Sequence, residues 1–161
     1  MTVVSTHQDT DALTFTIVAD LAASPARAWQ LWADARQLER WWGPPTWPAT
    51  FTAHDLVVDG GSRYHMTGPD GTEAHGWWRV LAVDEPRSLE FEDGFADASG
   101  TPDPELPTTR ALVLLEESDG GTRMTIRSTF ATAEQMAQLA SMGMVEGMTA
   151  AVGQMDDLIA A

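Results

Sequence analysis

The sequence predicts an α+β fold in which a curved antiparallel sheet of about seven strands wraps around one long C-terminal helix, with two short helices between strands 1 and 2. Three observations carry this expectation. Toward the C-terminus, Ala137, Ala140, Met144, Met148, Ala151, Met155 and Leu158 recur at steps of three and four, which puts them in one stripe of a 3.6-residue helix. Between 50 and 130, short runs that alternate apolar and polar residues are separated by Gly, Pro and Asp clusters, the pattern of strands joined by turns. A helix from Thr132 to about Ile159 would be about 42 Å long. That exceeds what a surface helix of a small domain requires, so a broad sheet must cover it.

Residues 1–12 are polar and aperiodic and are expected to be a loose tail. The stretch 13–21 alternates, with Leu13, Phe15 and Ile17 on one face and Thr14, Thr16 and Val18 on the other, as a half-buried strand does. Ser24-Pro25 opens a helix: the serine hydroxyl caps it, and proline sits where a missing N–H costs nothing. Ala28, Trp29, Leu31 and Trp32 form its apolar side. Asp34 is placed to cap a second short helix through Leu38 to Trp41, which Gly43-Pro44-Pro45 stops.

Six strands follow. The run 50–58 closes at Asp59-Gly60-Gly61, 62–67 at Gly68-Pro69-Asp70-Gly71, and 73–83 at Asp84-Glu85-Pro86. Leu89, Phe91 and Phe95 against Glu90 and Glu92 make 88–95 the clearest inside-outside alternation in the chain. The runs 108–116 and 122–130 pair through Asp119-Gly120-Gly121, with Met124, Ile126 and Phe130 on one face and Arg123, Thr125 and Arg127 on the other. Residues 97–107 are acidic and carry three prolines, so they must form a loop. Thr132 followed by Gln135 reads as a capping box that starts the last helix. With no repeat and no linker, 13–161 is expected to be a single domain.

At 161 residues the chain can bury a core without disulfides or metal, and its lack of cysteine excludes a disulfide framework, a thiolate nucleophile and a zinc–thiolate site. The formal net charge is −15 and all nine basic residues are arginine. Such a field repels phosphate backbones and anionic membranes, so neither nucleic acid nor a membrane is an expected partner. No run approaches 18 apolar residues, and 1–12 lacks the basic start and apolar core of a signal peptide, so a soluble, cytoplasmic protein is expected.

Ser24-Pro25-x-x-x-Trp29, then Trp41-Trp42-Gly43-Pro44, then Gly60-Gly61-x-Arg63-x-x-Met66-x-Gly68-Pro69-Asp70-Gly71, Pro86-x-x-Leu89 and Gly120-Gly121-Thr122 form an ordered set. It resembles the signature of the AHSA1-like branch (activator of Hsp90 ATPase homologue 1-like) of the SRPBCC superfamily, the START/Bet v 1-like proteins. The likeness covers about 13–161, and it implies a helix-grip fold with a deep cavity between the concave sheet and the C-terminal helix. Across the superfamily that cavity serves lipids, sterols, polyketides and other apolar molecules. It implies no single activity, since relatives include carriers, cyclases and the co-chaperone that activates the Hsp90 ATPase.

Given such a cavity, the residues expected to line it are Trp42, Tyr64, Met66, Trp78, Phe91 and Phe95, then Met124 on the last strand, and Ala140, Met144, Gly147 and Met148 on the helix. Trp42 offers a flat surface and an indole donor, whereas Trp41 is read as a plug fixing the short helices to the sheet. Met144 and Met148 are unbranched and polarizable and can reshape a wall around different guests, while Met155 is read as core. Small residues at Ala137, Ala140 and Gly147 leave volume unfilled. Gly143 and Gly147 each cost about 1 kcal/mol inside a helix, so each wants a reason: a close backbone approach, a bend over the cavity, or a mobile gate.

His54, Asp55, His65, Glu73 and His75 have the chemistry of metal ligands, but they lie on three strands without short ligand spacing, so no metal site is expected, and His65 is placed on the outer face. No G-x-S-x-G, phosphate loop or H-E-x-x-H is present, so no catalytic residue and no cofactor is assigned. The reading reached is a non-enzymatic binding module for an apolar or aromatic small molecule, a monomer or possible homodimer, gated by 97–107 and the Trp41-Trp42 unit. Two alternatives stay open. One is a cyclase- or hydrolase-type enzyme using Tyr64 or Asp55 to position a substrate carbonyl; the other is an Hsp90-activator-like interaction protein. A chaperone partner is disfavoured, because that activator carries a second domain and no exposed apolar stripe is evident.

Overall fold

The computed structural model describes residues 3–160. Eight strands form one antiparallel sheet, β1 (Val3–Asp9), β2 (Thr14–Leu21), β3 (Ala49–His54), β4 (Gly61–Thr67), β5 (Glu73–Asp84), β6 (Ser88–Ala96), β7 (Thr109–Ser118) and β8 (Gly121–Phe130). Their spatial order is β1-β2-β8-β7-β6-β5-β4-β3. Every neighbour in the sheet is a hairpin partner except the β2–β8 pair, which brings the first part of the chain against the last strand. Helices α1 (Pro25–Ala33) and α2 (Ala35–Trp41) follow β2, and α3 (Ala133–Ser141), α4 (Met144–Gly153) and α5 (Met155–Ala160) follow β8. The arrangement is the helix-grip fold, with the C-terminal helices against the concave face of the sheet.

Inward-facing positions read directly from alternation. Phe15, Ile17, Ala19 and Leu21 of β2 are buried, as are Leu89 and Phe91 of β6 and Met124, Ile126 and Phe130 of β8. The caps form where residue chemistry puts them: the Ser24 hydroxyl accepts from the Arg27 N–H at 3.2 Å, and Asp34 accepts from the Arg36 N–H at 2.9 Å. Trp29, Leu31, Trp32, Leu38 and Trp41 of α1 and α2 are all in the core. These two helices plug one end of the sheet, and the Trp41 indole N–H secures them by donating to the Leu31 carbonyl at 2.8 Å.

Several expectations are corrected. The tail 1–12 contains strand β1, paired with β2 from Val3↔Ala19 to Asp9↔Thr14, so the sheet has eight strands; residues 1 and 2, and Ala161 at the other end, lie outside the described residues. β1 is exposed on both faces between its ends and so shows no alternation; backbone hydrogen bonding to β2 holds it, with Val3 packed against the core at one end. β3 ends at His54 rather than near 58, after a bulge between Phe51 and Ala53, and Val57 and Val58 are exposed in the turn.

The C-terminal helix is not continuous. It breaks at Gly143, which takes φ +86°, a left-handed conformation that ends α3, and again at Gln154. Gln154 sits there because its side-chain amide donates to the Gly43 carbonyl at 2.6 Å, tying the helix to the end of α2. The break shifts the buried stripe of α3 to Met136 and Leu139 and leaves Ala137 exposed, while Ala151, Met155 and Leu158 stay buried beyond it. The capping box is half made: Thr132 accepts from the Gln135 N–H at 3.1 Å, but the Gln135 carbonyl oxygen is buried without a partner.

Candidate functional site

Between the concave face of the sheet and helices α3 and α4 lies a cavity of about 490 Å³. Its floor is aromatic. Trp32, Trp41, Trp42 and Phe91 line it, with Trp32 meeting Trp41 edge-on at 4.7 Å; beneath them Trp78 stacks on Phe91 with centroids 3.9 Å apart and meets Trp42 edge-on at 4.9 Å. The roof comes from Leu139, Met142, Met144, Gly147 and Met148, and Pro107 brings the end of the 97–107 loop to the rim. A side chain added at Gly147 would meet no heavy atom within 4 Å, so this glycine leaves cavity volume rather than allowing a close backbone approach. The same is true of Gly143, whose role is the bend.

Of the residues expected to line the cavity, Trp42, Tyr64, Met66, Phe91, Phe95, Met144, Gly147 and Met148 do so. Trp78, Met124 and Ala140 do not. Trp78 is covered by the rings of Phe91 and Trp42. Met124 is fully buried core, paired across from Ala19. Ala140 sits on α3 beside the buried Leu139 stripe, which faces the cavity in its place.

The cavity wall carries one polar pair. The Tyr64 hydroxyl donates to Asp93 Oδ1 at 2.8 Å, and both residues line the cavity. The ring of Tyr64 lies against Gly76 directly across the β4–β5 ladder, where any Cβ would overlap it, so Gly76 is what lets the phenol reach Asp93. Asp93 is half-buried at the cavity wall, and burial raises its pKa to about 7 against the opposing hydrogen bond from Tyr64. Burial also drives the Tyr64 phenol well above its usual value, and the adjacent Asp93 charge adds to this. The Trp42 indole N–H is buried in the cavity wall without a hydrogen-bond partner. The Ser128 hydroxyl is likewise buried, unpartnered and in the cavity wall. The polar side chains of Tyr64, Asp93, Thr109 and Ser128 therefore stand in a largely apolar wall, and the Asp93 carboxyl, its pKa raised to about 7, changes charge near neutral pH.

Asp55, expected as a possible polar group of the cavity, is outside it, at the turn after β3. Asp93 was hidden by its acidic neighbours Glu90 and Glu92, yet Phe91, Asp93 and Phe95 stand at steps of two, which is the signal that puts this carboxylate on the inner face. Ser128 was legible in the same way between Ile126 and Phe130.

The candidate metal ligands separate into two groups. The ring of His54 bridges the Ser62 hydroxyl at 2.6 Å and the Trp32 carbonyl at 2.8 Å, and burial lowers its pKa, so it is a neutral structural link between α1 and the sheet. His65, Glu73 and His75 do come together on the convex face, with ligand atoms all within 4.8 Å of one another. The expectation that strand placement keeps them apart fails because the β4–β5 register sets His65 opposite His75, with Glu73 two residues along on the same face.

Comparison with known proteins gives a consistent result. The family described as activator of Hsp90 ATPase homologue 1-like protein matches residues 22–160. The solution NMR structure of a protein from Arthrobacter aurescens is 54% identical over 99% of this chain and 92% of that one, with a TM-score of 0.95. The crystal structure of protein Ms6760 from Mycobacterium smegmatis is 47% identical over 97% of this chain and 96% of that one, with a TM-score of 0.90. A Rhodobacter sphaeroides protein at 23% identity shares the fold, with a TM-score of 0.80 over 98% of this chain and 97% of its own. No curated protein matches the chain.

Proposed function

The chain belongs to the activator of Hsp90 ATPase homologue 1-like family, and on that premise we propose that it is a small-molecule binding module. Its ligand is a molecule with an apolar or aromatic body and one hydrogen-bonding head, held in the cavity between the sheet and the C-terminal helices. The observation that carries this is the cavity itself: about 490 Å³, within the roughly 300–1,000 Å³ of small-molecule sites. Methionines and aromatic rings line it, and the Asp93–Tyr64 pair is set into its wall. The body packs on the ring of Trp42 and the thioethers of Met144 and Met148. The head is recognised by Asp93, which as a neutral acid donates a hydrogen bond and as a carboxylate accepts one.

The same pair favours a second reading, catalysis in this cavity, because a carboxyl with a pKa of about 7 beside a phenol is suited to move a proton at neutral pH. The two readings differ in what happens to the ligand. Titration of fatty acids, sterols and aromatic ketones, followed by the fluorescence of the tryptophans in the cavity wall, is expected to give saturable quenching by at least one class. Gly147→Phe, which fills the open space at the roof, is expected to weaken it at least tenfold. Quenching unaffected by Gly147→Phe would remove the cavity from the account, and chemical change of the bound molecule that Tyr64→Phe abolishes would favour the enzyme.

A further inference from the structure

We propose that His65, Glu73 and His75 form a binding site for a first-row divalent cation of the zinc class on the convex face of the sheet. The site is separate from the cavity, because His65, Glu73 and His75 alternate with Tyr64, Met66 and Ala74, which line the cavity on the other side of the sheet. The β4–β5 hairpin builds it. His65 and His75 are cross-strand partners with ring centroids 5.5 Å apart, and Glu73 precedes His75 by two on the same face. The turn 68–72 closes the hairpin next to Glu73, so the site sits where a small register slip is least possible.

The geometry is that of three ligands around one point. His75 Nε2 lies 3.2 Å from Glu73 Oε1, and His65 Nε2 lies 3.9 Å from Glu73 Oε2. A hydrogen bond from one imidazole would account for the first contact alone. It does not account for the second imidazole turning the same nitrogen toward the other oxygen of the same carboxylate. Metal–nitrogen and metal–oxygen bonds of about 2.0–2.2 Å place tetrahedral ligand atoms about 3.4 Å apart. Drawing the three atoms onto a cation therefore needs side-chain movements of about 1 Å, within reach of torsions in partly exposed groups.

Two imidazoles and a carboxylate suit zinc, cobalt and nickel better than calcium or magnesium, and leave further coordination positions to water or a small anion. The electrostatics agree. Two neutral rings and one carboxylate leave a dication partly compensated, in a chain whose formal net charge is −15. Arg63, two residues before His65 on the same face, is engaged by the Gly100 carbonyl.

The test uses the full chain, stripped with EDTA and desalted, titrated with Zn²⁺ by calorimetry and with Co²⁺ by visible absorption. One saturable site per chain is expected, weakened tenfold or more by His65→Gln and by His75→Gln. His7→Gln, on the exposed edge strand, is expected to leave it unchanged. Imidazole ¹⁵N spectra of the unaltered protein, which need no variant to fold, are expected to show His65 and His75 shifting together as one equivalent of Zn²⁺ is added. Absence of one-to-one binding, or binding that survives the His65→Gln/His75→Gln double change, would overturn the site. So would Zn²⁺-dependent shifts confined to His7 or His54.

Discussion

Asp93 concentrates the chemistry of the cavity in one titration. Its folded pKa of about 7 stands above the ordinary carboxylate value of 3.8, so the folded chain keeps a proton that the unfolded chain has released. Its contribution to stability is thus fully present below about pH 4 and is lost as pH rises through about 7. Asp93→Asn keeps an acceptor for the Tyr64 hydroxyl and removes the charge. Chemical denaturation at pH 5 and pH 8 is expected to show the variant losing less stability than the natural protein between the two values. Equal losses would mean that Asp93 is already ionised at pH 5. Gly76 acts on the same pair through space: Gly76→Ala must displace the Tyr64 ring, at a cost of about 1–3 kcal/mol in urea unfolding, and with it the bond to Asp93. Neither residue draws notice in the sequence. A glycine inside a strand reads as a weakness until the ring across the ladder is known, and an aspartate among glutamates reads as surface.

At the scale of elements, the strands were legible because each buries one face, and the caps because Ser24, Asp34 and Thr132 have side chains that accept from orphaned N–H groups. β1 was not legible, since its middle is exposed on both faces and it is placed chiefly by the free edge of β2. The break in the last helix was legible only as one of three readings of Gly143, because the apolar steps of three and four run straight through it while the backbone turns there. The two helical glycines consequently make opposite predictions. Gly147→Ala, inside α4 with open space around it, is expected to stabilise by about 1 kcal/mol. Gly143→Ala, at φ +86°, is expected to destabilise by about 1 kcal/mol. Thermal unfolding of the pair checks both signs, and a stabilising Gly143→Ala would show that the helix runs continuous through 143.

Over the whole molecule, charge and cavity set the behaviour. The Arg123–Asp20 and Arg110–Glu90 pairs are solvent-accessible and each contributes little. Screening them therefore costs less than relieving the self-repulsion of a −15 chain gains, and stability is expected to rise with sodium chloride up to a few tenths molar. A fall in the unfolding midpoint over that range would show that the ion pairs outweigh the net charge. Among the described residues, no helix is long and apolar enough to cross a membrane. The overall plan was recoverable from sequence because periodicity reports which face is buried. The open cavity was recoverable from family resemblance and from the small residues Ala140 and Gly147 on the helix, but not its lining in detail, because that depends on where helices bend and which rings stack, and neither has a period. Native mass spectrometry of protein purified gently from cells, set against its denatured mass, tests the binding account most directly. The account predicts a reproducible extra mass that leaves on unfolding and is absent from Gly147→Phe. A bare chain mass that no apolar or aromatic compound shifts would contradict it.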